Sequence, residues 1–98
     1  MLKRAGLTVD AAAHWLGLGA SCDRIRRFDL SDLAYRRAYD LVGKTAAYYN
    51  NVGYSYLLRG KLVEARASFL KAYELSPNDP TVKNNLELLA NSVRTLQR

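Results

Sequence analysis

The sequence predicts an all-α fold: helix-turn-helix repeats in a right-handed superhelical solenoid, two repeats plus a C-terminal capping helix. Three observations carry this. Leucine, alanine, tyrosine and arginine are plentiful, and the two prolines, Pro77 and Pro80, sit close together, so most of the chain has no breaker. Apolar residues recur three and four positions apart, the spacing of one helix face. The chain also repeats itself. Displaced by 34 positions, Trp15 falls on Tyr49, Leu18 on Val52, Gly19 on Gly53, Cys22 on Tyr56, Ser31 on Ala65, Tyr35 on Phe69 and Ala38 on Ala72, without a gap.

The first helix carries Trp15, Leu18, Cys22 and Ile25 on one stripe. A turn around "DRIRRFD" leads to a second helix with Leu30, Leu33, Ala34, Ala38 and Leu41, which Gly43 stops. Tyr49, Val52, Tyr56 and Leu57 mark the third helix and Gly60 its turn, while Leu62, Ala65, Phe69, Ala72 and Tyr73 mark the fourth. "SPNDP" ends it, with Asp79 suited to cap the last helix and Pro80 to begin it. The last helix aligns Val82, Leu86, Leu89, Val93 and Leu96. Its other face is mostly polar, as a terminal cap requires. Residues 1–98 then form a single domain, with repeat 1 at about 12–45, repeat 2 at 46–79 and a capping helix or partial third repeat at 80–96.

A glycine inside a helix costs about 1 kcal/mol relative to alanine, so Gly19 and Gly53 call for a packing reason. The expected contacts set small against small, Gly53 facing Ala65 and Gly19 facing Ser31. The asparagine pair Asn50–Asn51 returns as Asn84–Asn85 at the same period.

The formal charge of +6 suits an acidic partner, a membrane surface or nucleic acid. The basic residues are scattered, from Lys3 and Arg4 through Arg24, Arg26, Arg27, Arg36 and Arg37, with no dense run. No membrane span is expected, since no stretch of about 20 apolar residues occurs. The opening "MLKRAGLTVD" has no apolar signal core. A single cysteine, Cys22, leaves no internal disulfide and no CxxC metal site.

The pattern resembles the tetratricopeptide repeat (TPR): an aromatic, Leu–Gly, Tyr, Ala, an aromatic, Ala and Pro in 34 residues. In the second unit Tyr49, Val52, Gly53, Tyr56, Ala65, Phe69, Ala72 and Pro77 fill these places; in the first, Trp15, Leu18, Gly19, Tyr35 and Ala38 do, while Cys22, Ser31 and Gly43 depart from it. The resemblance covers residues 12 to 96. The wording "GLTVDAAAHWLG", "NNVGYSYLLRG" and "KAYELSPNDPTVKNNLELL" is also similar to the C-terminal part of the TadD-type proteins of tight-adherence (Tad/Flp) pilus assembly. That resemblance implies an assembly factor for a bacterial pilus or type II-like secretion apparatus, a lipoprotein on the periplasmic side of the outer membrane. No lipidation signal precedes the repeats here, which leaves a fragment of such a protein or another location, such as the cytoplasm. A general adaptor or co-chaperone-like module of another bacterial complex is the alternative. An RNA-binding helical repeat is the third, and no nucleic acid is expected.

Arrays of this family hold a peptide or helix on the concave face, lined by the first helix of each unit. Helical spacing places Leu16, Ala20 and Arg24 there from the first unit, Asn50, Asn51, Tyr54 and Leu57 from the second, and Asn84, Asn85, Leu88 and Asn91 from the last helix. The asparagine amides could pair with a partner's backbone, or bond the neighbouring repeat. The carboxylate clamp of chaperone-binding members is not spelled at these positions. Arg36, Arg37, Arg66 and Lys71 map to second helices, as a solvated surface or as a second docking surface for an acidic partner. An uncovered first helix also leaves room for self-association.

No catalytic, cofactor or metal residues are expected. His14 and Cys22 are eight positions apart on one helix, roughly 12 Å along its axis, too far for one to activate the other. No phosphate-binding glycine loop occurs. The predicted activity is non-enzymatic protein binding.

Overall fold

The computed structural model describes residues 2–96, with side chains from residue 7 onward; Lys3 and Arg4 lie outside the described side chains. Five helices follow one another: α1 (Leu2–Arg24), α2 (Phe28–Val42), α3 (Ala46–Leu58), α4 (Leu62–Leu75) and α5 (Pro80–Leu96). Among the described residues there is no strand. α1 packs on α2, α3 on α4 and α4 on α5, while α1 contacts α3 and α3 contacts α5. α2 reaches α3 but not α4. The odd-numbered helices are therefore stacked against one another and the even-numbered ones splay apart, which makes the α1–α3–α5 side the concave one.

α3 and α5 start alike. Thr45 accepts from the Tyr48 amide at the start of α3, and 34 residues on Asp79 accepts from the Thr81 amide at the start of α5. Each hydroxyl or carboxylate satisfies a backbone donor that the first helical turn leaves free. Gly43 closes α2 at φ 76°, its amide donating to the Tyr39 carbonyl. The turn inside each repeat also needs a left-handed residue. Gly60 takes it at φ 76°, but the equivalent residue in the first repeat is Arg26, at φ 61°.

α1 begins at Leu2 rather than near position 12. The 34-residue alignment could not show this, because Ala11 aligns with Thr45, a cap, and the positions before it align with the α2–α3 turn and the end of α2.

Two sequence expectations about the core are corrected. In α2 the buried residues are Ser31, Ala34, Tyr35 and Ala38, while Leu30, Leu33 and Leu41 are exposed. Ser31 can face inward because its Oγ donates to the Phe28 carbonyl. Leu18 in α1, Ile25 in the turn after it, Tyr73 in α4, and Val93 and Leu96 in α5 are exposed as well. The second correction concerns the glycines. A Cβ on Gly53 would lie 2.6 Å from the Phe69 ring, and one on Gly19 would strike the Tyr35 ring. Each glycine makes room for the aromatic residue 16 positions later, not for Ala65 or Ser31. The rings fill the space between the two helices of each repeat. Ala38 and Ala72, fully buried at equivalent positions, let those helices approach.

Candidate partner-binding face

The candidate face separates into structural and open residues. Asn51 donates from Nδ2 to the Leu16 carbonyl at 3.2 Å, and Asn85 donates from Nδ2 to Asn50 Oδ1 at 3.3 Å. Leu16 and Asn50 are equivalent positions, as are Asn51 and Asn85. Equivalent positions are therefore joined twice, once through a backbone carbonyl and once through a side-chain amide: the second asparagine of each pair reaches back 35 residues to the preceding odd-numbered helix. Asn50 and Asn85 are 5% and 7% exposed. Their expected place on the open face is corrected, because these amides hold repeat to repeat. Leu57 is corrected too. It packs against Ala65, Phe69 and Leu89, closing the core beneath α5.

The remaining candidates stay accessible. Tyr54 and Leu88 are 38% and 39% exposed and stand at the same position of α3 and α5 as half-buried Ala20 does in α1. Arg24, Asn84 and Asn91 are exposed; Arg24 donates to Ser21, and Asn91 accepts from Arg94. Of the repeat signature, Gly19, Tyr35, Ala38, Gly53, Ala65, Phe69 and Ala72 are buried, Trp15, Tyr49 and Tyr56 are half-buried, and Pro77 is exposed in the turn before α5.

A polar cluster between the repeats was not anticipated. Asp23, near the end of α1, is 1% exposed. Its Oδ2 accepts from the Tyr35 hydroxyl of α2 at 2.6 Å and its Oδ1 from Ser55 Oγ of α3 at 2.8 Å. Arg59 Nη2 donates in turn to Ser55 Oγ, and the guanidinium forms an ion pair with Asp32. It also lies over the Phe28 ring, 4.7 Å from the centroid. A buried carboxylate is costly unless its oxygens are bonded, and here both are. Burial and the bond to Asp23 push the Tyr35 hydroxyl far above the ordinary tyrosine range. One repeat later the equivalents of Ser31, Asp23, Tyr35, Ser55 and Arg59 are Ala65, Leu57, Phe69, Leu89 and Val93. The first junction is polar and the second apolar on the same framework. A lone Asp gave no warning in the sequence, but the paired change from Asp23–Tyr35 to Leu57–Phe69 was there to be read.

His14 is exposed beside Asp10 and Ala13, and Cys22 is a buried free thiol. No described helix is long and apolar enough to cross a membrane.

Residues 46–79 match the tetratricopeptide repeat family. No curated protein and no solved structure matches the chain. The matched segment covers α3, α4 and the turn before α5, and the architecture is that of an all-α tetratricopeptide helical repeat. Such repeats mediate protein–protein interaction and are typically non-enzymatic.

Proposed function

We propose that the chain is a protein-binding scaffold that takes a partner's peptide or helix along the row Ala20, Tyr54 and Leu88. The observation that carries this is the row itself. Three equivalent positions on successive stacked helices are small or apolar, Tyr54 and Leu88 exposed and Ala20 half-buried, with exposed Asn84, Asn91 and Arg24 around them. An aromatic flanked by polar groups is a common anchor at interfaces. The row is tested by a photo-crosslinking amino acid in place of Tyr54, with a second one in place of Val63 on the outer face of α4. Adducts at position 54 that vanish with Leu88→Ala, and none at position 63, are expected. Equal adducts at both positions would remove the groove from consideration.

The finer reading is an assembly factor for a Tad/Flp pilus or a type II-like secretion apparatus, on the periplasmic side of the outer membrane. Its support is the wording of "NNVGYSYLLRG" and "KAYELSPNDPTVKNNLELL". Deletion in the source bacterium, scored for surface pili, tests it; normal piliation would reject it.

A further inference from the structure

A pocket lies off this row, between α2 and α3. It has a volume of about 370 Å³ and is walled by Asp32, Tyr35, Arg36, Tyr39, Lys44, Tyr48, Val52 and Tyr56. Tyr48, Val52 and Tyr56 follow at four-residue intervals on α3. Tyr54 is two positions from its neighbours Val52 and Tyr56, about 200° around the helix, so the pocket and the row occupy opposite sides of α3.

The charges do not cancel inside it. The Asp32 carboxylate is taken by Arg59. Arg36 and Lys44 form no ion pair among the described residues, not even with Asp40, one turn from each. Lys44 Nζ sits 5.9 Å from the Tyr39 ring centroid, and the Tyr39 and Tyr48 rings are 5.8 Å apart. Two cations without a carboxylate partner among the described residues therefore border an aromatic recess. Burial raises the Tyr48 hydroxyl above its ordinary value.

The fold does not require this composition. At the second junction the residues equivalent to Arg36, Lys44, Tyr48 and Tyr56 are Leu70, Asn78, Val82 and Ala90; Tyr39 keeps its counterpart in Tyr73, and the hollow there is lined by Leu86, Leu89, Ala90 and Val93 with Arg66 and Arg94. The combination of Arg36 and Lys44 with Tyr48 and Tyr56 belongs to the first junction.

We propose that this pocket binds an acidic segment of a protein partner, a carboxylate lying between Arg36 and Lys44 and the adjacent apolar side chain entering the tyrosine-lined recess over Val52. Two cations suit one carboxylate. A nucleic-acid strand needs a longer track of positive charge. The site goes beyond the groove reading and does not depend on it.

The test is an amide-resolved NMR titration of the whole chain with a short peptide containing Glu-Phe, the same peptide with Gln-Phe, inorganic phosphate, and oligo(dT). The expected result is shifts at Tyr39, Tyr48 and Val52 with the Glu-Phe peptide, and at least about tenfold weaker binding of the Gln-Phe form. A similar loss is expected for the double variant Arg36→Gln, Lys44→Gln, and none for Arg37→Gln, Lys61→Gln, which removes the same charge elsewhere. All four positions are exposed, and an unchanged thermal midpoint verifies folding. Shifts confined to Ala20 and Tyr54, equal loss in both double variants, phosphate binding as tightly as the peptide, or tighter oligo(dT) binding with a steep salt dependence would each overturn the proposal.

Discussion

The Tyr35 hydroxyl donates to the buried Asp23 carboxylate, and one repeat later the same two positions hold Phe69 and Leu57. The molecule thus carries two solutions to one packing problem. Taken singly, Asp23→Leu leaves the Tyr35 and Ser55 hydroxyls buried without their acceptor, an expected loss of about 2–4 kcal/mol. Copying four of the five second-junction residues, with Asp23→Leu, Tyr35→Phe, Ser55→Leu and Arg59→Val, is expected to lose less than Asp23→Leu alone, because the hydroxyls that Asp23 accepted from are gone and Ser31 keeps its bond to the Phe28 carbonyl. Urea unfolding of the single and fourfold variants compares them.

The two kinds of helical glycine should respond in opposite directions. Gly53→Ala places a methyl group against the fully buried Phe69 ring and the Ser68 Cβ, so a loss of about 1–3 kcal/mol is expected. Gly17 has no atom within 4 Å of its would-be Cβ, and Gly17→Ala should stabilise by up to about 1 kcal/mol. Thermal midpoints of the two variants check both signs.

Arg26 occupies the left-handed position that its counterpart Gly60 fills without strain. A left-handed backbone costs a side-chain-bearing residue roughly 1–2 kcal/mol. Its guanidinium recovers part of this over the Phe28 ring, 5.1 Å from the centroid. Arg26→Gly is expected to stabilise by up to about 1 kcal/mol in denaturant unfolding, and Arg26→Val to destabilise.

Alkaline pH should weaken the fold through Tyr35. Its folded pKa lies above the value of the unfolded chain, 10.0, through burial and the bond to Asp23. The stabilisation is fully present below pH 10. It is lost as the pH rises, because the unfolded chain releases its proton first. Tyr35→Phe should flatten this decline, leaving a residual slope from Tyr48, whose pKa burial also raises. Unfolding midpoints across pH 8 to about 11 would show it.

The repeat was legible because its period is written in residue size: glycine, aromatic and alanine return in register, and those positions are the core. The α2 stripe was misread because leucine counts as apolar and serine as polar, whereas Ser31 bonds its own helix and turns inward while Leu30 and Leu33 face out. The recurrent asparagines were visible, and both readings of them were available from the sequence. The structure assigns Asn51 and Asn85 to neighbouring helices and leaves Asn84 exposed. The glycines were recognised as packing positions, but their partners were not, since spacing along the chain does not say which side chain a ring will reach.

The contrast between the junctions also gives each unit an address. Were α5 to slip into the place of α3, Leu89 would come to lie where Ser55 meets Asp23, and a buried carboxylate would face hydrocarbon. Tandem repeats are prone to such exchanges between and within chains. Here a mis-stacked order strands a charge, so the sequence of docking is written into the polarity of the seams.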